Sequence, residues 1–520
     1  MRFLFKKKII FAVAGICALA LALRAFTLHT NAPFWVDEFS SASQAKLLLT
    51  YGIGVFNIEQ RYFEYHNITA HILMALSFAL LGAAEWSARL PMAIIGSTVP
   101  LALYLLCLRV SKNTIISLCA ALLAATSYFM ITWSTQARGY PIQQVLTIIL
   151  LTSYIALLQT TRPSKRHVAT LVGTSLLGII THVSFLIVIS VLSLHYTLTH
   201  KRTRNTQLVL GMGALVSSAL LVKSGLILAI TQSVQTQAFG ANNLWYYHSF
   251  LWREYGAVTV LSALGAILMW QKYPQSRIIH IFISVYLSFF LFVYKPYNTR
   301  YLLVIFPLFL MMMAVAIAQI STLFTSKKYV AVTTIIITLA IIAQGNLFTI
   351  KPKRFYSVNH SFREIALIDY DQVYEIIQKK SATKSAPPAV IDTWWDRTRW
   401  YLGTDYQPLF AFRWDQESGR INGLSKSTPY TISPAGEKVI YKSGGVVLVS
   451  NLRDLVGVMK MHPQGFIFID DTSMSQEVIE YAKQNLHHEL YLDHYTYDDN
   501  PASIWPANLY SWGFENNEER

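Results

Sequence analysis

The sequence predicts a polytopic α-helical membrane protein with about 11 transmembrane helices and interfacial helices in its first outer loop, followed by a C-terminal extracytoplasmic α/β domain. Long apolar runs recur as far as Leu347, and roughly 20 helical residues cross a bilayer core. Only six of the 28 carboxylates lie in the range 1–350, where an ionised acid in hydrocarbon is costly. The others lie in the range 351–520, so we expect two domains, 1–350 and 351–520.

Eleven apolar segments are candidate spans. The first follows a short basic stretch, and it is long for the apolar part of a signal peptide. No small-residue cleavage site stands out, so we expect a retained anchor. In chain order the candidate spans are 9–28, 91–108, 114–131, 142–158, 168–181, 183–199, 206–228, 255–270, 278–294, 302–320 and 329–347.

A further apolar run, 67–83, decides the topology, because one extra crossing would invert every later loop. If this run lies along the outer interface, the cytoplasmic segments hold sixteen Lys and Arg and no acid. The outer loops then hold seven basic residues and all six acids. This arrangement obeys the positive-inside rule, and a crossing at 67–83 would break it. We therefore expect an interfacial helix at 67–83, a cytoplasmic N-terminus and an extracytoplasmic C-terminus.

The C-terminal part of the chain alternates predicted helices with short β-rich runs. Ser361 and Glu364 have the spacing of a capping box, which opens a helix to about Lys379. This alternation predicts a small α/β domain, and no glycine-rich phosphate loop follows any of its strands. We expect strands at Ala389–Asp392, Val439–Tyr441, Val446–Ser450 and Phe466–Asp470, a helix at Ser475–Asn485, and a further strand near Leu490.

Charge and cysteine content argue against two kinds of site. The formal charge of +15 comes mostly from short loops between apolar runs, where basic residues set topology, so nucleic acid is not an expected partner. Cys17, Cys107 and Cys119 all fall in predicted spans, which indicates neither a disulfide framework nor a cysteine metal site.

The first outer loop holds the candidate acids. Asp37 and Glu38 follow the first span, where a carboxylate can take a proton from an incoming hydroxyl or hold a divalent cation. The alternative for Asp37 is a cap on a helix that begins near Ser40. Glu64 and His66 are two residues apart and can hold Zn²⁺ or Mn²⁺; the alternative for them is a solvated pair.

Later outer loops hold the candidate binding residues. Arg138 and Tyr140 follow the third span, and Arg300 and Tyr301 precede the tenth. Arginine at such a place either snorkels to lipid phosphates or makes forked hydrogen bonds to the phosphate of a lipid-linked substrate. His182 interrupts an apolar hairpin, either as a structural donor or as a ligand.

Several motifs of these loops occur together in one known family. They are Trp35–Glu38, Tyr62–Glu64, Glu85–Pro91, Gln136–Tyr140, Thr181–His182, and Arg300–Leu303 followed by Pro307. Because these motifs occur in this order along the chain, the sequence resembles the C-type membrane glycosyltransferases. The resemblance is to the branch that contains the protein O-mannosyltransferases and the lipid A aminoarabinose transferase. The resemblance implies transfer of a sugar from a polyprenyl-phosphate donor on the extracytoplasmic face, with inversion at the anomeric carbon.

The resemblance also implies roles for the matching residues. Asp37 matches the residue that looks like the catalytic base of these enzymes, and the resemblance implies that Glu38 supports it. Glu64 matches a carboxylate that can hold a cation in relatives. The implied substrate-binding residues, with the two arginines at the donor phosphate, are Arg138, Tyr140, Arg300, Tyr301, Tyr62 and His182.

Two departures from the family concern the phosphate and the metal. His66 stands in a region where many relatives have a phosphate-binding Lys. Gln143 and Gln144 stand where some relatives have an acid. A divalent ion at Glu64 and His66 is therefore an alternative and not a requirement.

The implied partners are a polyprenyl-phosphate-linked sugar, membrane lipid, and an acceptor that is a glycolipid, a polymer or a protein. The implied location is a bacterial inner membrane. Two other classes stay open: a transporter or flippase of a lipid-linked saccharide, and a non-catalytic scaffold or receptor. A transporter favours ionisable groups near the bilayer midplane, whereas Lys223 near an outer span end is the one interior-like charge.

Overall fold

The structure, a computed structural model, describes most of the membrane part and the larger share of the C-terminal domain. The described residues form two compact units: one from 1–31, 65–77 and 86–361, the other from 32–64, 78–85 and 362–520. The described ranges are 2–26, 28–30, 33–34, 36–52, 54, 67–160, 165–199, 241–293, 299–351, 369–382, 386–404, 406–412, 430–432, 439–441, 446–449, 451–470, 474–492 and 507–514.

Helices account for most of the described residues that precede the C-terminal domain. In chain order they are α1 Arg2–Ala25, α2 Val36–Tyr51, α3 Ile68–Leu81, α4 Glu85–Ser111, α5 Thr114–Thr126, α6 Tyr128–Ser134, α7 Tyr140–Leu158, α8 Lys165–Thr181, α9 Phe185–Thr199, α10 Ala241–Ser249, α11 Gly256–Lys272, α12 Arg277–Ser288, α13 Phe306–Phe324 and α14 Val330–Ala343. Wide π turns at Phe250–Glu254 and Phe289–Val293 follow α10 and α12, and short 3₁₀ turns lie at Leu28–Thr30, Pro274–Ser276 and Thr299–Val304.

Five helices among the described residues are long and apolar enough to cross a bilayer. They are Lys7–Ala25, Glu85–Ser111, Tyr140–Leu158, Pro274–Val293 and Phe306–Phe324, and five shorter apolar helices accompany them. The predicted polytopic helical fold is confirmed. The predicted span 206–228 lies outside the described residues. The number of crossings and the orientation of each loop stay predictions.

One predicted span, 114–131, is divided in the structure. Helix α5 ends at Thr126, Ser127 has an extended backbone, and α6 begins at Tyr128. Two backbone bonds account for the break, because Tyr128 N–H donates to the Leu347 carbonyl at 3.0 Å and Thr349 N–H donates to the Thr126 carbonyl at 2.8 Å. The segment after α14 that holds Leu347 and Thr349 thus supplies hydrogen-bond partners to backbone groups of residues 126 and 128, which a continuous helix would have paired within itself.

Helices α11 and α13 approach each other closely at Gly265. A Cβ atom added there would lie 1.8 Å from the Met312 carbonyl oxygen, so only glycine fits. We expect Gly265→Ala to lower the free energy of unfolding by about 1–3 kcal/mol, because the helix backbones must separate.

The matched control is Gly173→Ala on α8, where an added Cβ meets no atom within 4 Å. This variant should be unchanged or stabilised by up to about 1 kcal/mol, because alanine favours helix. Thermal unfolding of the detergent-solubilised protein measures both variants, and equal melting temperatures would contradict the close packing.

The C-terminal domain is a mixed sheet with helices. Its elements are α15 Tyr370–Ser381, β1 Ala389–Asp392, α16 Trp395–Leu402, β2 Leu409–Phe412, β3 Tyr430–Ile432, β4 Val439–Tyr441, β5 Val446–Val449, α17 Leu452–Met461, β6 Gly465–Ile469, α18 Gln476–Asn485, β7 His487–Leu492 and β8 Ala507–Trp512. The strand order is β3-β4-β5-β2-β1-β6-β8-β7. The central strands β5, β2, β1 and β6 are parallel, and antiparallel strands flank them.

The central strands are buried on both faces, as is usual for parallel sheets covered by helices. Ile391 of β1 lies opposite Phe410 of β2 and Ile467 of β6 in the register. The predicted α/β class is confirmed. One helix boundary is corrected: α15 begins at Tyr370 with Asp369 as its N-cap, and the expected capping box at 361–364 lies outside the described residues.

Candidate functional site

Tyr140 is the centre of a polar cluster in the first unit. It begins helix α7 directly after a turn and is only 3% exposed. Gly139 allows the approach of the turn to its neighbours, because a Cβ there would lie 2.9 Å from Asn67 Oδ1. The Trp133 and Tyr140 rings form a T-shaped pair with the centroids 5.9 Å apart and 84° between the planes. The ring of Tyr140 therefore has a fixed position.

Two arginines lie beside this one ring. The guanidinium carbon of Arg138 is 5.9 Å from the Tyr140 ring centroid, and that of Arg300 is 5.7 Å from it. Arg300 also lies 5.4 Å from the ring of Tyr301. Cations at these distances from aromatic faces are held by the ring quadrupole. Two positive charges that are far apart in sequence thus meet at one buried aromatic residue.

The 3₁₀ turn that carries Arg300 is anchored on both sides. The Tyr301 ring stacks on Phe290 with the centroids 4.7 Å apart and 25° between the planes. The Tyr286 hydroxyl donates to the Tyr301 carbonyl at 3.0 Å, and Gln144 Nε2 donates to the Leu303 carbonyl at 2.5 Å. Gln144 belongs to α7, so its hydrogen bond ties the 3₁₀ turn to the first turns of that helix.

His182 lies on the same aromatic centre. Its ring centroid is 6.0 Å from that of Tyr140. Its Nδ1 accepts the backbone N–H of Ser184 at 3.2 Å and lies 2.8 Å from the Ser184 hydroxyl, which in turn accepts from Gln143 Nε2 at 2.6 Å. A backbone N–H can only donate, so the proton of the neutral imidazole is on Nε2.

The first unit therefore brings together five of the predicted substrate-binding residues. Sequence reasoning missed Ser184, Tyr286 and Phe290, which orient them, and named Gln143 only as a departure from the family pattern. Gln143 did carry a signal, because it is a polar residue one helical turn after Tyr140 on a mostly apolar helix. The five are Arg138, Tyr140, His182, Arg300 and Tyr301.

The acid pair belongs to the second unit. Helix α2 begins at Val36 and not near Ser40, so Asp37 and Glu38 lie within its first turn. Negative charge is favoured there because the helix dipole places partial positive charge at the N-terminus. Glu38 is 2% exposed and Asp37 is partly buried. The Ser41 hydroxyl donates to the Asp37 carbonyl at 3.0 Å, which holds this first turn together.

The remaining predicted site residues, Tyr62, Glu64 and His66, lie outside the described residues. In the part of the chain that the structure describes, no group of three His, Cys, Asp or Glu side chains could hold a metal ion. A divalent ion at Glu64 and His66 therefore stays a prediction.

Comparison with known proteins points to one fold. No protein-family model matches the sequence, and no curated protein matches it. The crystal structure of ArnT from Cupriavidus metallidurans in the apo state matches 96% of this chain and 97% of its own, with a TM-score of 0.59 at 13% identity. ArnT from the same organism bound to undecaprenyl phosphate matches the same shares with a TM-score of 0.53, also at 13% identity.

A third solved structure is more distant. The oligosaccharyltransferase AglB from Archaeoglobus fulgidus, in complex with an inhibitory peptide and a dolichol-phosphate, matches 76% of this chain and 63% of its own. Its TM-score is 0.45 at 12% identity, which is too low for any structural argument. The two ArnT structures cover nearly the whole chain with TM-scores above 0.5, so this protein has the fold of ArnT.

Proposed function

We propose that the protein is an integral membrane glycosyltransferase that moves a sugar from a polyprenyl-phosphate donor to an extracytoplasmic acceptor. The observation that carries this proposal is the meeting of Arg138 and Arg300 at the ring of Tyr140. The fold adds support, because ArnT, which has it, has been described bound to undecaprenyl phosphate. A bacterial inner membrane and a glycolipid, polymer or protein acceptor belong to the same proposal.

The two arginines suit the leaving group of such a reaction. A sugar attached to polyprenyl phosphate leaves behind a phosphate with added negative charge. Arg138 and Arg300 each present a planar guanidinium that can form paired hydrogen bonds to phosphate oxygens. Donors already oriented toward the developing charge stabilise the transition state more than the ground state. Tyr140 and Tyr301 hold both guanidinium groups in place by their ring faces.

Asp37 is the proposed base, and Glu38 its supporting acid. The Asp37 carboxylate takes the proton of the acceptor hydroxyl, and the oxygen lone pair forms a bond to the anomeric carbon. The bond from that carbon to the phosphate oxygen breaks, and its electron pair goes to the phosphate, which leaves as polyprenyl phosphate. Because attack and departure occur on opposite faces, the configuration inverts.

The other predicted residues have supporting roles in the proposal. His182 can donate from Nε2 to the phosphate or the sugar, since its Nδ1 is used internally. Tyr62 contributes a ring to the substrate site. Glu64 and His66 can hold a divalent ion that offsets phosphate charge, although the transfer balances without it.

The arginine assignment is tested by Arg138→Met and Arg300→Met. Each variant should weaken the binding of undecaprenyl phosphate about 10- to 100-fold, because a hydrogen-bonded pair to a charged group contributes roughly 1.5–3 kcal/mol. Arg138→Lys and Arg300→Lys should fall between the wild type and Met, because the charge stays and the fork is lost.

The matched control is Arg253→Met, because Arg253 is an exposed arginine of the π turn at Phe250–Glu254. It should bind undecaprenyl phosphate as the wild type does. Binding is measured by thermal shift of the purified full-length protein with added undecaprenyl phosphate. Wild-type affinity for undecaprenyl phosphate in both Met variants would show that these arginines do not bind the donor phosphate.

A further inference from the structure

One face of helix α2 packs against the C-terminal domain. Phe39, Ser43 and Lys46 are spaced four and three residues apart, so they share one side of the helix. The Phe39 ring makes a T-shaped contact with Tyr370 of α15, with the centroids 5.7 Å apart, and a tilted contact with Tyr401 of α16 at 5.9 Å. Phe39 is buried, so this contact excludes water.

The same face binds the backbone of helix α16. The Ser43 hydroxyl donates to the Asp396 carbonyl at 3.2 Å, and Lys46 Nζ donates to the Trp400 carbonyl at 2.7 Å. The Lys46 ammonium also lies 3.8 Å above the Trp400 ring. Burial lowers the pKa of Lys46 to about 8, so the ammonium form still predominates at pH 7. The Phe34 ring, ahead of α2, packs on Trp400 at 5.1 Å.

Helix α16 is in turn fixed to the sheet by a buried ion cluster. Arg397 of α16 is 1% exposed and forms ion pairs with Asp392 at the end of β1 and with Asp470 just after β6. Its Nε donates to Asp392 Oδ2 at 3.1 Å. Burial alone would lower the pKa of Arg397, but the two carboxylates outweigh it and raise that pKa well above its ordinary value.

The cluster extends from the sheet to the start of helix α4. The Tyr374 hydroxyl donates to Asp392 at 2.5 Å, and the Tyr374 ring stacks on Tyr401 with the centroids 4.6 Å apart and 13° between the planes. The Tyr401 hydroxyl donates to Glu85 Oε1 at 3.0 Å. Contacts on both sides of α16 therefore fix where this helix lies along its axis and how it is rotated about that axis.

Asp37 lies on the opposite side of α2 from this contact face. At 100° per residue, Phe39, Ser43 and Lys46 fall within about 60° of one another, and Asp37 is about 150° from their mean direction. Because α2 is held along this one face, it cannot rotate about its axis or shift along it without breaking these contacts. The position of Asp37 on the helix and the direction of its Cα–Cβ bond are therefore set by contacts made on the opposite face of α2.

We propose that the C-terminal domain positions the catalytic base: helix α16 holds α2 through Lys46 and Trp400, which makes both of them positioning residues for Asp37. This inference rests on the proposed role of Asp37 as the base. The energetic reason is that a base must lie within hydrogen-bond reach of the acceptor, and a displacement of about 1 Å can cost on the order of 100-fold in rate.

The first test is Lys46→Met, which keeps the aliphatic stem but removes the hydrogen bond and the cation. Product formation should fall about 10- to 100-fold. The affinity for undecaprenyl phosphate should stay within about twofold, and hydrogen exchange of β1 and β6 should not change. Lys46→Arg should recover most of the activity, because it keeps the cation over Trp400. The control is Lys379→Met, at an exposed lysine of α15.

A second variant separates positioning from a merely structural contact. In an Asp37→Glu background the carboxylate is already displaced, so Lys46→Met should cost much less there than in the wild type. Equal costs in the two backgrounds would overturn the inference. Faster exchange of β1 and β6 together with weaker lipid binding in Lys46→Met would also overturn it, because the lysine would then serve folding alone.

The outcomes also separate this inference from the proposed function. Full transfer by Asp37→Asn would overturn the role of Asp37 itself, and the inference with it. An inactive Asp37→Asn protein together with wild-type transfer by Lys46→Met would overturn the positioning role and leave the proposed function standing.

Discussion

Asp37→Asn is expected to lower sugar transfer by about 10²- to 10⁴-fold, the usual contribution of a positioned general base. The amide has nearly the shape of the carboxylate but cannot accept the acceptor proton, so folding should be unaffected. Affinity for undecaprenyl phosphate should stay within about twofold, because the proposed phosphate ligands are Arg138 and Arg300. Mass spectrometry of glycolipids and glycoproteins from cells with each form of the protein measures the product.

The matched control for this prediction is Asp371→Asn. Asp371 is an exposed carboxylate in the first turn of α15, so it shares the residue type and the position in a helix with Asp37. It should leave transfer unchanged. Wild-type product from Asp37→Asn would rule out that carboxylate as the base, and Glu38→Gln would then be the next variant to measure.

The membrane part was predictable because its signal is local. Apolar runs of helical length mark spans without any knowledge of their neighbours. Where the structure describes them, most predicted spans coincide with helices, and 114–131 is divided at Ser127. That the loops of Arg138 and Arg300 come together in space was predictable only in outline. Loop order grouped Arg138 with Arg300, whereas the position of both beside Tyr140 depends on packing that no periodicity encodes.

The C-terminal domain shows what local signals miss. Strands β2, β3 and β8 and helices α16 and α17 were not predicted. Helix α16 has eight residues and is rich in charge, so it lacks a clear apolar stripe. Its role depends on Arg397 and on distant partners, because Ser43 and Lys46 are separated in sequence by 353 and 354 positions from the residues of α16 that they bind. Contacts at that separation leave no pattern in a single sequence.

The acids of the buried cluster were missed for a related reason. Asp392 follows directly from an apolar run, as solvated acids at strand ends often do. In the structure it is fully buried and accepts hydrogen bonds from Arg397, Tyr374 and Thr398, and from the Trp394 backbone N–H. A buried carboxylate with all its acceptor sites used is a feature of the assembled fold and not of a segment.

Arg397→Met is expected to destabilise the C-terminal domain by about 3–5 kcal/mol, because it leaves two carboxylates buried without a counter-charge. Hydrogen exchange of β1 and β6 in the full-length protein should speed up by about two to four orders of magnitude. The matched control, Arg453→Met, changes an exposed arginine of α17 and should alter exchange little.

A triple variant shows whether charge compensation or packing causes this loss. Arg397→Met combined with Asp392→Asn and Asp470→Asn removes all three charges and keeps the volumes. It should be more stable than Arg397→Met alone, because replacing a whole buried ion cluster costs less than breaking it. If the triple variant were as unstable as the single one, the packing of the Arg397 guanidinium on the rings of Tyr370 and Phe468 would be what holds α16. If charge dominates, transfer should recover with stability, since α16 would again hold α2.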